Sequence, residues 1–522
     1  MIGDGTTSAI RIAAILAAVT FAVFAPTLSS QFVYDARLQI LTDPFLHDPR
    51  NWLDVLSFRV LARDVLDFNR PVHLASLMLD AAVWGRDPFG YHLTSVLLHC
   101  GNVVLLWLVI RDVLAQSAGA GAGGSAAAVI GALFFAVHPV VTEAVCEPTF
   151  REDLLVATFT LGALVIAGGI REAGDRWRPL ACTACCLGAV ASKECGVATP
   201  VTLAASWWLL HRATPRRPWV LAVGGGAVVA AAFLAARFLL EPSPSAIFEN
   251  PPVYPGSSLA KALAIEPLIL ALYCQVIAFP LNLCADYGLY SVRHLPLPVA
   301  IPVLTVVAIA LGLAARADRR VAFGIVLLVL PLLPVSNLVP IYRAAADRYL
   351  YVPLTGVATV VACLLDAPWL RASARGRQAA VAVAVAALAV LGQACIERQR
   401  VWANPLALWQ DTAAKNPASF TAAHGLAGAL EDAGRCGEAE VAVQAALRLC
   451  GGTRGEAWAT LAIVLDCQGR SAEADAALAK ALELDPRLAD PAKRVAALAL
   501  EADDAETLVR LLQRQGRPSP PP

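Results

Sequence analysis

The stretch Ala9–Asp35, AIRIAAILAAVTFAVFAPTLSSQFVYD, decides the fold: between Ala9 and Leu28 the only charge is Arg11, and the next acid is Asp35. These twenty predominantly apolar residues at about 1.5 Å each make a helix of roughly 30 Å, the thickness of the hydrocarbon core. No small-residue cleavage pattern closes the run, so it reads as a retained anchor with a cytoplasmic N-terminus. Asp35 then stands where a charge first meets water on the far side.

The rest of the chain agrees. A chain of 522 residues with 58% hydrophobic and 16% charged residues, at a mean hydropathy of +0.61, is too apolar to be soluble. Further apolar runs lie near 91–114, 126–146, 153–170, 179–195, 197–210, 219–240, 259–280, 296–314, 321–341, 348–365 and 379–396. The Arg-rich linkers Arg171–Arg178, His211–Pro218, Arg316–Arg320 and Arg371–Arg377 are expected in the cytoplasm. Linkers 211–218 and 316–320 share a side only if one of the three runs between them does not cross. The run 259–280, with Lys261 and Glu266, is read as interfacial or re-entrant. About eleven crossings remain, which puts the C-terminal region on the side of Asp35. A net charge of +0 gives no field for nucleic acid. Most of the 13 cysteines lie in or beside apolar runs, where a thiol acts as a small hydrophobe. Cys182, Cys185 and Cys186 share a helix face without a histidine nearby, so helix packing is expected there and not a metal.

From about Pro417 the composition changes. Leu426, Gly434, Ala439 and Leu447 recur 35 residues on as Leu461, Gly469, Ala474 and Leu482, the tetratricopeptide spacing, with Pro486 closing the second unit. A degenerate unit over 488–514 is expected to cap the array. The whole reads as all-α: a polytopic membrane domain over 1–398 with a first extracytoplasmic loop at 29–90, a linker helix at 399–416, repeats over 417–516 and a disordered tail at 517–522. The repeats offer either a concave surface for an extended peptide or a short helical stub packed on the membrane domain. The loop 29–90, holding Asp35, Asp43, Asp48, Asp54, Asp64, Asp67, Asp80 and Asp87 with Trp52 and Trp84, is too long for a connection and too aromatic for disorder.

Phe32-Val33-Tyr34-Asp35, Asn51-Trp52, Arg70-Pro71-Val72, Trp84-Gly85, Pro88-Phe89-Gly90-Tyr91-His92, His138-Pro139 with Thr142-Glu143, Ser192-Lys193-Glu194, Asp286-Tyr287, Ser336-Asn337-Leu338 and Asp347-Arg348-Tyr349-Leu350-Tyr351 follow in this order. Together they resemble the transmembrane and tetratricopeptide-repeat protein O-mannosyltransferases, over about residues 10 to 486. The resemblance implies a GT-C glycosyltransferase. Such an enzyme takes a sugar, mannose by the resemblance, from a polyprenyl-phosphate carrier and transfers it outside the cytoplasm to Ser or Thr of a protein. No metal and no further cofactor is implied. The chemistry needs a carboxylate to take the hydroxyl proton and cations to hold the departing phosphate.

Asp35 is the expected base; where the family carries two successive acids, this chain has Ala36. Arg348, able to grip two oxygens at once, is the first phosphate ligand expected, ahead of Lys193, Arg151 and Arg343. An Arg348–Asp347 pair, a Glu143–Arg151 pair and an internal pairing of Lys193 are the structural alternatives. Glu143, His138, Glu194, Asp347, Asp286, Tyr287 and His92 are expected around the pocket. His73, His92, His99 and His138 lack ligand spacing and are expected to hydrogen-bond. The Gly- and Ala-rich run Ser117–Ser125 reads as a cytoplasmic linker. A non-catalytic membrane-anchored scaffold for secreted proteins is the alternative function. Alanine- and arginine-heavy usage points to a bacterial inner membrane with the site facing the periplasm; an endoplasmic reticulum membrane gives the same topology.

Overall fold

The computed structural model describes residues 2–63, 65–116, 122–240, 254, 257–288, 297–489 and 502–514. Helices make up the fold, with no strand among the described residues. Seven helices are long and apolar enough to cross a membrane: Thr7–Ser29, Pro88–Ala115, Arg216–Leu240, Leu259–Ala278, Pro298–Ala317, Asp347–Leu365 and Ala374–Val401. An eighth span is possible if Ala126–Val137 and Pro139–Cys146, bent by 49° at His138, count as one. The runs expected at 153–170, 179–195, 197–210 and 321–341 form shorter or more charged helices. Arg151–Gly168 opens on three charges, Trp177–Ser192 and Ala198–Leu210 have 16 and 13 residues, and Arg319–Val329 gives way to the 3-10 turn Leu330–Val335 at Pro331 and Pro334. Thirteen residues reach only about 20 Å. Leu259–Ala278, expected to be re-entrant, is 20 residues long with Pro267 inside, and its length and apolarity do not set it apart from the other spans.

Close approach is achieved with small residues. A Cβ on Gly356 would lie 2.4 Å from the Gly324 carbonyl oxygen, so the helices Arg319–Val329 and Tyr351–Leu365 touch backbone to backbone there. At the Arg-rich end the helices are tied by His211–Asp112 (2.9 Å) and Arg320–Asp366 (2.7 Å). Residues 117–121 of the expected flexible linker lie outside the described residues.

The first loop is folded. It runs through short helical pieces to the helix Pro71–Trp84 and has its own core of Phe32, Ile40, Leu46, Leu77, Met78 and Tyr91. Several of its acids serve this local order. Asp43, Asp48 and Asp87 each accept a backbone N–H two residues on, from Phe45 (2.9 Å), Arg50 (2.9 Å) and Phe89 (3.0 Å), capping the turns that follow. Asp64 lies outside the described residues.

The last long helix, Ala374–Val401, returns beside the first. Thr27 donates to Gln399 (2.9 Å), and the Gln31 N–H donates to the Ala403 carbonyl (2.9 Å). The helix Pro405–Lys415 follows, capped by Asn404. Then come two helix pairs, Phe420–Asp432 with Cys436–Leu449 and Gly455–Cys467 with Ser471–Leu484, whose starts are 35 residues apart (455 − 420 and 471 − 436). Gly434 (φ +70°) and Gly469 (φ +74°) make equivalent left-handed turns. A disulfide, Cys436–Cys467, joins the pairs across a Cα–Cα distance of 6.2 Å. In the expected cap, Leu508, Leu511 and Leu512 of Ala502–Arg514 pack with Leu478 and Leu482; residues 490–501 and the tail lie outside the described residues.

Candidate active site around Asp35

Asp35 owes its position to Tyr34, which has the left-handed φ of +53°. That conformation costs an L-residue about 1–2 kcal/mol, and aromatic packing holds it here. The Tyr34 ring stacks on Trp409 (5.3 Å, 22°) and meets Phe150 edge-on (5.7 Å), with the Arg343 guanidinium 5.7 Å from its centroid. The kink buries Ala36 and turns Asp35 outward. Its carboxylate is exposed and accepts no hydrogen bond from any described residue. Desolvation by the surrounding protein nevertheless raises its pKa above 3.8, opposed by Arg348 and then Arg343. Exposure combined with desolvation describes a crevice open to water on one side.

Two arginines lie within electrostatic reach of Asp35. Arg348 pairs with Glu143, not with Asp347: its guanidinium and its backbone N–H (3.0 Å) both reach that carboxylate, and it lies 4.0 Å from the centre of the Phe150 ring. Arg343 pairs with Asp286 (2.9 Å) and is one-quarter exposed. Asp347 accepts from the Tyr287 hydroxyl (2.5 Å). Glu143, Asp286, Tyr287, Arg343, Asp347 and Arg348 are thus one connected group with Asp35 at its edge.

Lys193 is buried between Asp153 (2.6 Å) and Glu152 (3.0 Å), so its internal partners are those two acids and not Glu194. Its ammonium lies 5.2 Å from the Tyr349 ring centre, and the Arg348 guanidinium also lies 5.2 Å from the centre of that ring. Glu194 faces Arg237 (3.0 Å), Asn69 (2.7 Å) and Arg70 (3.4 Å). Arg151 stands apart from the site and pairs with Asp80 (2.6 Å), not with Glu143. Its nitrogens also donate to Ser76, Tyr91 and Ser95, which uses the donors of the guanidinium and leaves none for a phosphate. His92 is a buried packing residue beside Phe32 (6.3 Å). His138 makes the bend in its helix: Nδ1 accepts from Val140 N–H (3.3 Å), so Nε2 carries the proton donated to the Ile277 carbonyl (3.0 Å).

Sequence reasoning missed several members. Glu147 is wholly buried, caps Thr149 through its hydroxyl (2.7 Å), and has its carboxyl pKa raised well above the usual range by burial, with Asp35 adding to the effect. The signal was present, as an acid placed between an apolar run and Pro148. Arg70 joins Asp67 (2.8 Å), Glu152 (2.5 Å) and Glu194, a pairing that no spacing along the chain announces. Asp67, His73 and Glu152 bring ligand atoms within 4.8 Å of one another, a spacing compatible with a metal ion. Arg70 already bridges the two carboxylates, and Lys193 neutralises Glu152 from the other side.

Fold and site define a polytopic helical membrane protein with an exposed carboxylate, unpaired among the described residues, within electrostatic reach of two guanidinium groups. Among curated proteins the chain is similar to protein O-mannosyl-transferases, a likeness that spans most of its length. One from Caenorhabditis elegans is 24% identical over 84% of this chain and 62% of its own length. Tmtc3 of Drosophila melanogaster is 26% identical over 73% of this chain and 48% of its own, and TMTC4 of Mus musculus is 26% identical over 67% and 54%. The chain therefore spans less than two thirds of the length of these relatives. No protein-family model matches it. Among solved structures, ArnT from Cupriavidus metallidurans bound to undecaprenyl phosphate overlaps 97% of this chain and 89% of its own at a TM-score of 0.41 and 16% identity, too loose a likeness to carry an argument.

Proposed function

We propose that this protein is a membrane glycosyltransferase of the GT-C type that moves a sugar, by its relatives mannose, from a polyprenyl-phosphate carrier to Ser or Thr hydroxyls of a protein. The observation that carries the reading is Asp35: exposed, without a hydrogen-bonding partner among the described residues, held outward by a strained Tyr34, and within electrostatic reach of Arg348 and Arg343. A carboxylate of raised pKa is a better proton acceptor than an ordinary aspartate. As the acceptor oxygen attacks the anomeric carbon, Asp35 takes its proton. Arg343, partly exposed, meets the phosphate as it departs, and Arg348 adds to the positive field. An interfacial site suits a donor whose phosphate sits at the membrane surface while its tail stays in hydrocarbon.

The repeat-like helices support an outer location for this site. Disulfides persist in oxidising compartments, so Cys436–Cys467 supports the reading in which these helices and Asp35 face the periplasm or the lumen of the endoplasmic reticulum. We assign residues 1–398 to the transferase, 399–416 to a linker and 417–516 to tetratricopeptide-type repeats that present the acceptor polypeptide. The test is transfer of sugar from a polyprenyl-phosphate donor to a Ser/Thr peptide by the purified protein. Activity that vanishes in Asp35→Asn supports the reading. An inert wild-type protein that still binds the peptide would establish the scaffold instead.

A further inference from the structure

Arg343 lies on the segment after the 3-10 turn Leu330–Val335, and its side chain is held through Asp286. Asp286 in turn lies on the short segment after the helix Leu259–Ala278, and the contacts that fix this segment come from the C-terminal part of the chain. The Lys415 ammonium donates to the Leu283 carbonyl (2.8 Å), and Asn416 Nδ2 donates to the carbonyls of Asp286 (2.8 Å) and Tyr287 (3.0 Å). Gly288 makes this docking possible. Its φ is +54°, and a Cβ there would stand 3.0 Å from Asn416 Nδ2, so a larger residue would be strained and would crowd the amide. The Ser419 hydroxyl then completes the link. It donates its one proton to Asp286 Oδ2 (2.5 Å) while its lone pair accepts the Ala422 N–H (2.9 Å) at the start of the helix Phe420–Asp432. The other oxygen of Asp286 is left to Arg343 (2.9 Å).

We propose that Ser419 is a positioning residue for Arg343: through Asp286 it aims the guanidinium at the donor phosphate, so the cationic half of the site is complete only when the C-terminal helices are docked. The inference rests on the transferase reading above. Arginine has a long side chain with much rotamer freedom, and an anchored carboxylate is what confines it. Asp286 receives that anchoring from Ser419 and Asn416, which lie more than 125 residues further along the chain. A polypeptide that shifts the first helix pair would therefore shift Arg343, linking acceptor capture to the grip on the carrier phosphate.

The experiment is a double-mutant cycle on the full-length protein in detergent, with two readouts: binding of undecaprenyl phosphate, and the KM values for donor and acceptor peptide. Ser419→Ala is expected to weaken phosphate binding and raise the donor KM by about tenfold, the effect of losing one hydrogen bond to a charged group, with the peptide KM unchanged. Ser419→Thr, which keeps the hydroxyl, is expected to restore both. In an Arg343→Ala background, Ser419→Ala should cost nothing further, because its effect passes through the missing guanidinium. A loss that multiplies with that of Arg343→Ala, or equal rises in both KM values, would reduce Ser419 to a helix cap and overturn the proposal. An unchanged donor KM in Ser419→Ala, with the wild type active, would also overturn it. A wild type that neither transfers sugar nor binds undecaprenyl phosphate would overturn both readings.

Discussion

Asp35 and Asp153 are both acids near the mouths of membrane helices, and the protein treats them in opposite ways. Asp153 and its neighbour Glu152 are buried and share Lys193, with Arg70 bridging Glu152 to Asp67 and Glu194. Asp35 has no such partner among the described residues, although two arginines lie within electrostatic reach. Charges at a membrane surface are costly unless they are paired or wet. The paired acids hold helix ends together, and the wet one remains available for chemistry.

The sharpest way to break this contrast is to neutralise each acid or its partner. Asp35→Asn is expected to lower sugar transfer by about 10²–10⁴ while the protein still folds, the range a general base supplies; a loss below tenfold would move the base elsewhere, with Glu147 the next residue to test. Lys193→Ala leaves two buried carboxylates without their ammonium, and thermal unfolding should show a loss of about 3–5 kcal/mol. Cys467→Ser opens the loop closed by the disulfide and should lower the stability of the C-terminal helices by about 2–4 kcal/mol, seen as earlier proteolysis of that region. The smallest effect concerns pH. Because Asp35 has its pKa raised in the folded chain, the acid limb of kcat/KM should lie above 3.8. The protonated form is the one the fold prefers, so stability from Asp35 is fully present below its unfolded pKa and is lost as pH rises through its folded value. Asp35→Asn should accordingly melt slightly later than wild type at neutral pH, and the difference should vanish in acid.

What the sequence disclosed followed the range of the interactions involved. The span Ala9–Leu28 and the 35-residue recurrence are local periodicities, and both appear as helices of the expected place and spacing. The helices at 177–192 and 198–210 are short, and both carry exposed apolar side chains, Trp177 and Leu180 on the first and Val201 and Trp208 on the second, so an apolar run marks a helix without fixing its length. The charged outer residues were legible as a set but not as pairs. Arg348 with Glu143 and Arg70 with Glu152 join residues 205 and 82 positions apart, and like the Arg151–Asp80 pair they are chosen by helix packing. Tyr34 gave no signal, since its left-handed turn is imposed by Trp409 and Phe150 from distant parts of the chain.

The meeting of the first and last long helices, where Thr27 reaches Gln399 and Gln31 reaches Ala403, has an evolutionary reading. Whatever follows that last helix starts close to Tyr34 and Asp35, because Trp409 of the linker helix Pro405–Lys415 stacks on the Tyr34 ring. On the proposed reading, helices appended at this point start next to the chemistry, and further helix pairs could be added without altering the membrane half.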